Sequence, residues 1–133
     1  MIVRMSSSGI TARATKFRQA AFVYLHVAIL YEAAAYAMWT RGLLPTTRMG
    51  PAWLWLIVGA VVAVAIVLGL YRWQSVWLAR VVWALHGLRL PALIEGAFFA
   101  GAEGRVAPPS FYLTAIVVVV INLWMLARAG WDL

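Results

Sequence analysis

Four apolar runs, each long enough to cross a bilayer as a helix, fill most of this chain and leave it little choice of fold. They cover residues 19–40, 51–70, 76–100 and 110–127. At ~1.5 Å per residue, about 20 helical residues cross a hydrocarbon core of ~30 Å. The run at 116–121 is β-branched and would read as a strand in water. In lipid an isolated strand leaves its backbone hydrogen bonds unmade, so a helix is expected there too. The chain is 65% hydrophobic and 11% charged, against roughly 45–50% and about 25% in soluble domains. The expected fold is therefore all-α: an integral membrane bundle of four transmembrane helices, residues 17–133, behind a short polar tail, residues 1–16.

Between the runs the chain is punctuated. Residues 41–50 hold Gly42, Pro45 and Gly50; Pro51 suits a first helical turn. The turn after the second run is short, so spans two and three are expected to be antiparallel neighbours. Residues 101–109 carry Glu103, Gly104, Arg105 and two prolines. A cleaved signal peptide is the rival reading of the first run, given its basic start and the small residues AAAYA. A continuous helix through Trp39 accounts for the same residues and is the reading adopted. Small residues at four-residue intervals, Ala65 and Gly69 in span two and Ala92, Gly96 and Ala100 in span three, mark expected sites of close helix packing.

The net charge of +7 would suggest nucleic acid in a soluble protein. Here the aromatic residues lie in the apolar runs, not among the basic ones, so membrane topology explains the charge and nucleic acid is excluded as a partner. Seven Lys and Arg residues lie in the N-terminal tail, the second turn and the C-terminal tail, against three in the first and third loops. The positive-inside rule then predicts both termini in the cytoplasm and an inner-membrane location. A weak echo relates YEAAAYAMWTRGLLP at 31–45 to IEGAFFAGAEGRVAP at 94–108. A duplicated helical hairpin and chance similarity between alanine-rich helices both account for it.

Function is sought where ionisable groups enter the apolar runs, because charge at membrane depth is retained only under cover of protein or water. Span three contains LHGLRLPALIEGAFF, with His86, Arg89, Pro91 and Glu95; span one contains His26 and Glu32, and span four Asn122. Counted from the ends of parallel spans, Glu32 and Arg89 reach similar depth, and an interhelical ion pair is expected. His26 and His86 also share a level, near Asn122. They are candidates either for a polar network or for the two axial ligands of a b-type haem. Glu95 lies roughly 180° around the helix from His86, so span three is polar on opposite sides. It is a candidate transport or interface carboxylate.

Zero cysteines exclude disulfides, iron–sulfur ligation and thiol chemistry. Neither a serine-hydrolase elbow nor a zinc-protease or phosphate-loop motif occurs, no third metal ligand stands out, and the loops are too short to build a soluble active site. The expected role is a non-catalytic accessory subunit of a larger membrane complex of the energy-transducing or electron-transport kind. Span three would be its assembly helix, and membrane lipids, other membrane subunits or a second copy its partners. The alternatives are a small homo-oligomeric proton-coupled transporter using Glu32 or Glu95, and a haem-binding anchor ligated by His26 and His86.

Overall fold

The computed structural model describes residues 7–42, 50–101 and 107–133, the Ser7 side chain excepted. Pro45, Arg48, Glu103 and Arg105 lie outside the described residues. The elements are α1 (Ser7–Thr40), α2 (Ala52–Tyr71), α3 (Val76–Gly87), α4 (Leu90–Ile94), a π-helical turn (Glu95–Phe99) and α5 (Pro109–Trp131). No strand occurs among the described residues. Four stretches are long and apolar enough to cross a membrane: Ser8–Thr40, Ala52–Tyr71, Val76–Phe99 and Pro109–Trp131.

Helix α1 begins far earlier than expected. Residues 7–16 are helical, where the sequence suggested a free polar tail. Tertiary contacts hold this extension: Arg13 donates to the Gln74 carbonyl at 3.3 Å, and Lys16 meets Asp132 at 2.7 Å. Phe17 is buried and lies beneath the Arg13 guanidinium. The start of α1, the α2–α3 turn and the C-terminus therefore occupy one end of the bundle.

At that end, Ser75 caps α3 by accepting from the Leu78 N–H at 3.2 Å. Arg80 donates from Nε to the Gly130 carbonyl at 3.0 Å and lies over Trp131. A cation at the last turn of α5 also complements the helix dipole.

Helix α1 packs between α2 and α5, and α5 between α1 and the third span. Helices α2 and α3 touch sparingly, so the neighbour relation expected from their short turn is a minor interface. The core joins Phe17, Ala20, Tyr24 and Ala28 of α1 to Leu70, Ala79, Val82, Leu126 and Ala129, and sits in the half of the bundle that carries the termini. Helix α2 displays Trp53, Ile57, Val61 and Val64 outward, as suits a face turned to lipid.

The small-residue ladders are only partly used. Gly69 is buried against Leu78 and Gly96 against the Tyr112 ring, while Ala65 and Ala92 are exposed and Ala100 is half-buried. In span three the π turn explains the difference: its i→i+5 bonding, with the Ala100 N–H on the Glu95 carbonyl at 2.8 Å, shifts a four-residue ladder off one face. In α2, four residues advance the face by about 40°, enough to carry Ala65 outside the narrow contact made by Gly69.

Candidate functional site

The third span is interrupted where its polar residues lie. Pro91 has no N–H to offer the Gly87 carbonyl one turn back, so α3 stops at Gly87. Leu88 and Arg89 form a turn in which the Arg89 N–H bonds the His86 carbonyl at 3.1 Å; α4 then restarts the helix. His86 and Arg89 flank this break.

His86 is buried, at 6% exposure, and Asn122 of α5 is completely buried. The Asn122 amide group meets His86 Nδ1 at 2.7 Å. With the amide nitrogen as donor, His86 carries its own proton on Nε2. The Tyr24 ring of α1 closes the third side, 5.4 Å from the imidazole between centroids. Asn122 Oδ1 is buried and finds no hydrogen-bond partner among the described residues. Seven residues beyond Tyr24 on the same face of α1, the Tyr31 ring lies under the Arg89 guanidinium, 4.0 Å from its centroid. Tyr24 and Tyr31 thus present two aromatic faces, one to His86 and one to Arg89. Sequence reasoning passed over Tyr31; its seven-residue spacing from Tyr24 was the available signal.

The expected ion pair of Glu32 with Arg89 is not formed. Among the described residues the one ion pair within bonding distance is Lys16–Asp132. The reason is angular: Tyr31 faces the third span, and Glu32, about 100° further round, faces α2. Its carboxylate lies against Gly59, where any Cβ would collide with it. Glu32, Tyr36, Trp39 and Trp55 line a crevice of about 10 Å³ between α1 and α2.

His26 and His86 are not brought together either. His26 follows Tyr24 by two residues, roughly 200° around the helix, so it faces away from the bundle. It is exposed, its Nδ1 is 2.8 Å from the Phe22 carbonyl, and its ring packs on Phe22. One imidazole points outward and the other inward onto Asn122, so a haem ligated by both within one chain does not fit. Among the described residues no cluster of three or more His, Asp or Glu side chains gathers in metal-binding range. Glu95 opens the π turn on an exposed surface shared with Leu88, Ile94, Phe98 and Phe99.

No protein-family model, curated protein or solved structure matches the chain. Fold and site together define a class, that of small multi-pass α-helical membrane proteins with an interhelical polar cluster at a broken third span.

Proposed function

We propose that the protein is a non-catalytic accessory subunit of a larger membrane complex, of the energy-transducing or electron-transport kind, with the third span as its assembly helix. The observation that carries this reading is the division of that span into two polar sides. His86 and Arg89 turn inward to Asn122, Tyr24 and Tyr31, while Glu95 stands on the outward surface. The inward set is joined by direct side-chain contacts, as befits a device that fixes helix register. The outward carboxylate and its apolar neighbours call for cover by another membrane helix, because a charge on a lipid-facing surface is costly.

The same reading places both termini in the cytoplasm and the bundle in the inner membrane. Arg13, Lys16, Arg18, Arg72, Arg80 and Arg128 collect at the end holding both termini, which supports that orientation. The pairing of α1 with α2 and of the third span with α5 is what a duplicated hairpin would produce.

Native mass measurement of the full-length protein, gently solubilised from its own membrane, tests the assignment. Unrelated subunits should accompany it and be lost in Glu95→Leu. Recovery as a monomer or a homodimer alone would overturn it. Glu32 beside the α1–α2 crevice favours one second reading, a homo-oligomeric proton-coupled transporter; homodimers, with proton movement abolished in Glu32→Gln, would establish it instead.

A further inference from the structure

At the end of the bundle that holds the termini, a shallow, largely open cleft of about 600 Å³ lies along the first turns of α1 beside Arg128 of α5. Its walls are Ser8, Thr11, Ala12 and Thr15, one stripe along α1, together with Lys16 and Arg128. Helix α1 has 34 residues, about 50 Å at ~1.5 Å per residue, far more than a hydrocarbon core of ~30 Å requires. If the apolar run beginning at residue 19 enters the core, Lys16 stands about 5 Å outside it and Ser8 about 16 Å outside. The deep edge of the cleft therefore lies at the level of lipid headgroups.

Lys16 and Arg128 are both half-buried, which fixes the two cations in place. Each has donors to spare. One Lys16 proton is directed to Asp132, and Arg128 Nη1 donates to Gln19 Oε1 at 2.9 Å and to Met125 Sδ at 4.0 Å. Two ammonium protons and the remaining guanidinium N–H groups are left for a ligand. Thr15 directs its hydroxyl proton to the Thr11 carbonyl, so it serves as wall, not as donor. Among the described residues the one acidic side chain paired with these cations is that of Asp132, which is open to solvent, at 83% side-chain exposure, and free to swing aside.

We propose that this cleft binds a phosphate group, in the first place that of an anionic phospholipid, between Lys16 and Arg128, with Asp132 competing for Lys16. Such a site is independent of the subunit assignment, since it needs only that this end of the bundle meets a headgroup layer.

The test uses the full chain in nanodiscs of phosphatidylglycerol and phosphatidylcholine mixed equally, with retained lipid read by native mass spectrometry. The wild type should retain phosphatidylglycerol preferentially. Lys16→Gln and Arg128→Gln should each reduce that preference about fivefold, the weight of one interfacial cation. Asp132→Asn should increase it, a result that misfolding would not produce. Arg72→Gln, exposed at the same end and outside the cleft, should leave it unchanged. Adding inorganic phosphate separates the sources: persistence of the bound lipid assigns the site to a headgroup, and its displacement at millimolar concentration assigns it to free phosphate. Equal losses in Arg72→Gln and Arg128→Gln would mean diffuse attraction to the whole basic end and would overturn the proposal. So would a preference indifferent to Lys16, Arg128 and Asp132.

Discussion

His86 and Asn122 form the buried polar contact between the third span and α5, and their value lies in what each would cost alone. A buried polar group stripped of its partner forfeits about 1–3 kcal/mol, whereas replacing both partners by apolar groups is close to neutral. His86→Phe and Asn122→Leu should therefore each lower the unfolding midpoint in detergent. The double variant should lose less than the sum of the two, with a coupling of about 0.5–2 kcal/mol. Strict additivity would mean that the contact contributes nothing. A second expectation concerns Gly96, where a Cβ would meet the Tyr112 ring. Gly96→Ala should destabilise by about 1–3 kcal/mol, the usual cost of overpacking, while Ala92→Gly on the exposed side should cost no more than helix propensity, ~1 kcal/mol. Comparison of their thermal midpoints checks both.

At this scale depth was legible in the sequence and azimuth was not. Counting from the span ends brings Arg89 level with Tyr31 and Glu32. Which of those two neighbours faces it depends on where α2 and α3 sit around α1, and that arrangement is set by the whole bundle. The histidines illustrate the same limit. His26 and His86 share a level, yet a two-residue step from Tyr24 puts His26 on the opposite side of its helix.

Among the elements, the third span departs most from what apolar length implies. A run of residues 76–100 reads as one helix, and Pro91 signals the break at Leu88 and Arg89; the π turn that follows, packed on α5, is not encoded in the sequence pattern. Pro91→Ala restores an N–H opposite the Gly87 carbonyl. Hydrogen exchange at Leu88 and Arg89 should slow in this variant, as the interrupted segment becomes continuous; unchanged exchange would mean that the break is held by tertiary contacts alone.

Helix α1 errs in the other direction. Residues 7–16 have no apolar stripe of their own, so periodicity could not reveal that they are helical. The Lys16 contact explains part of their order and predicts a pH response. Hydrogen bonding and the charge of Lys16 hold the Asp132 carboxyl below its ordinary pKa of 3.8, with Arg13 assisting. A lowered folded pKa means that the contact contributes fully above that ordinary value and is lost as pH falls through the lower one. Attachment of the α1 extension, followed by hydrogen exchange of residues 8–16, should loosen in that acid window in the wild type. In Asp132→Asn the exchange should no longer change across that window.

For the molecule as a whole, the absence of cysteine gives a clean background for mapping topology. Ser8→Cys and Leu133→Cys should both resist a membrane-impermeant maleimide applied to intact cells, and Arg41→Cys should react. The reverse pattern would invert the proposed orientation, and a mixed one would break the four-span topology. Four helices long and apolar enough to span, in this order, were legible, because bilayer thickness and backbone hydrogen bonding constrain them without reference to packing. Which helices touch was not: the short turn at residues 72–75 suggested a close α2–α3 pair, but α1 and α5 occupy the middle.

The broken third span has a consequence for how the protein is made. Its best window has a mean hydropathy of 1.2, against 1.4 for α1, 2.7 for α2 and 2.1 for α5, so on leaving the ribosome it is the poorest candidate for entry into the bilayer. Its inward-facing imidazole meets Asn122 only after α5 has been synthesised. The first hairpin is therefore expected to settle first, and the third span to complete its insertion with the last helix. A chain halted before residue 109 should leave it accessible to a glycosylation or protease reporter, and extension through residue 131 should shelter it. Insertion of the second half would then be a single cooperative event, timed by one late asparagine.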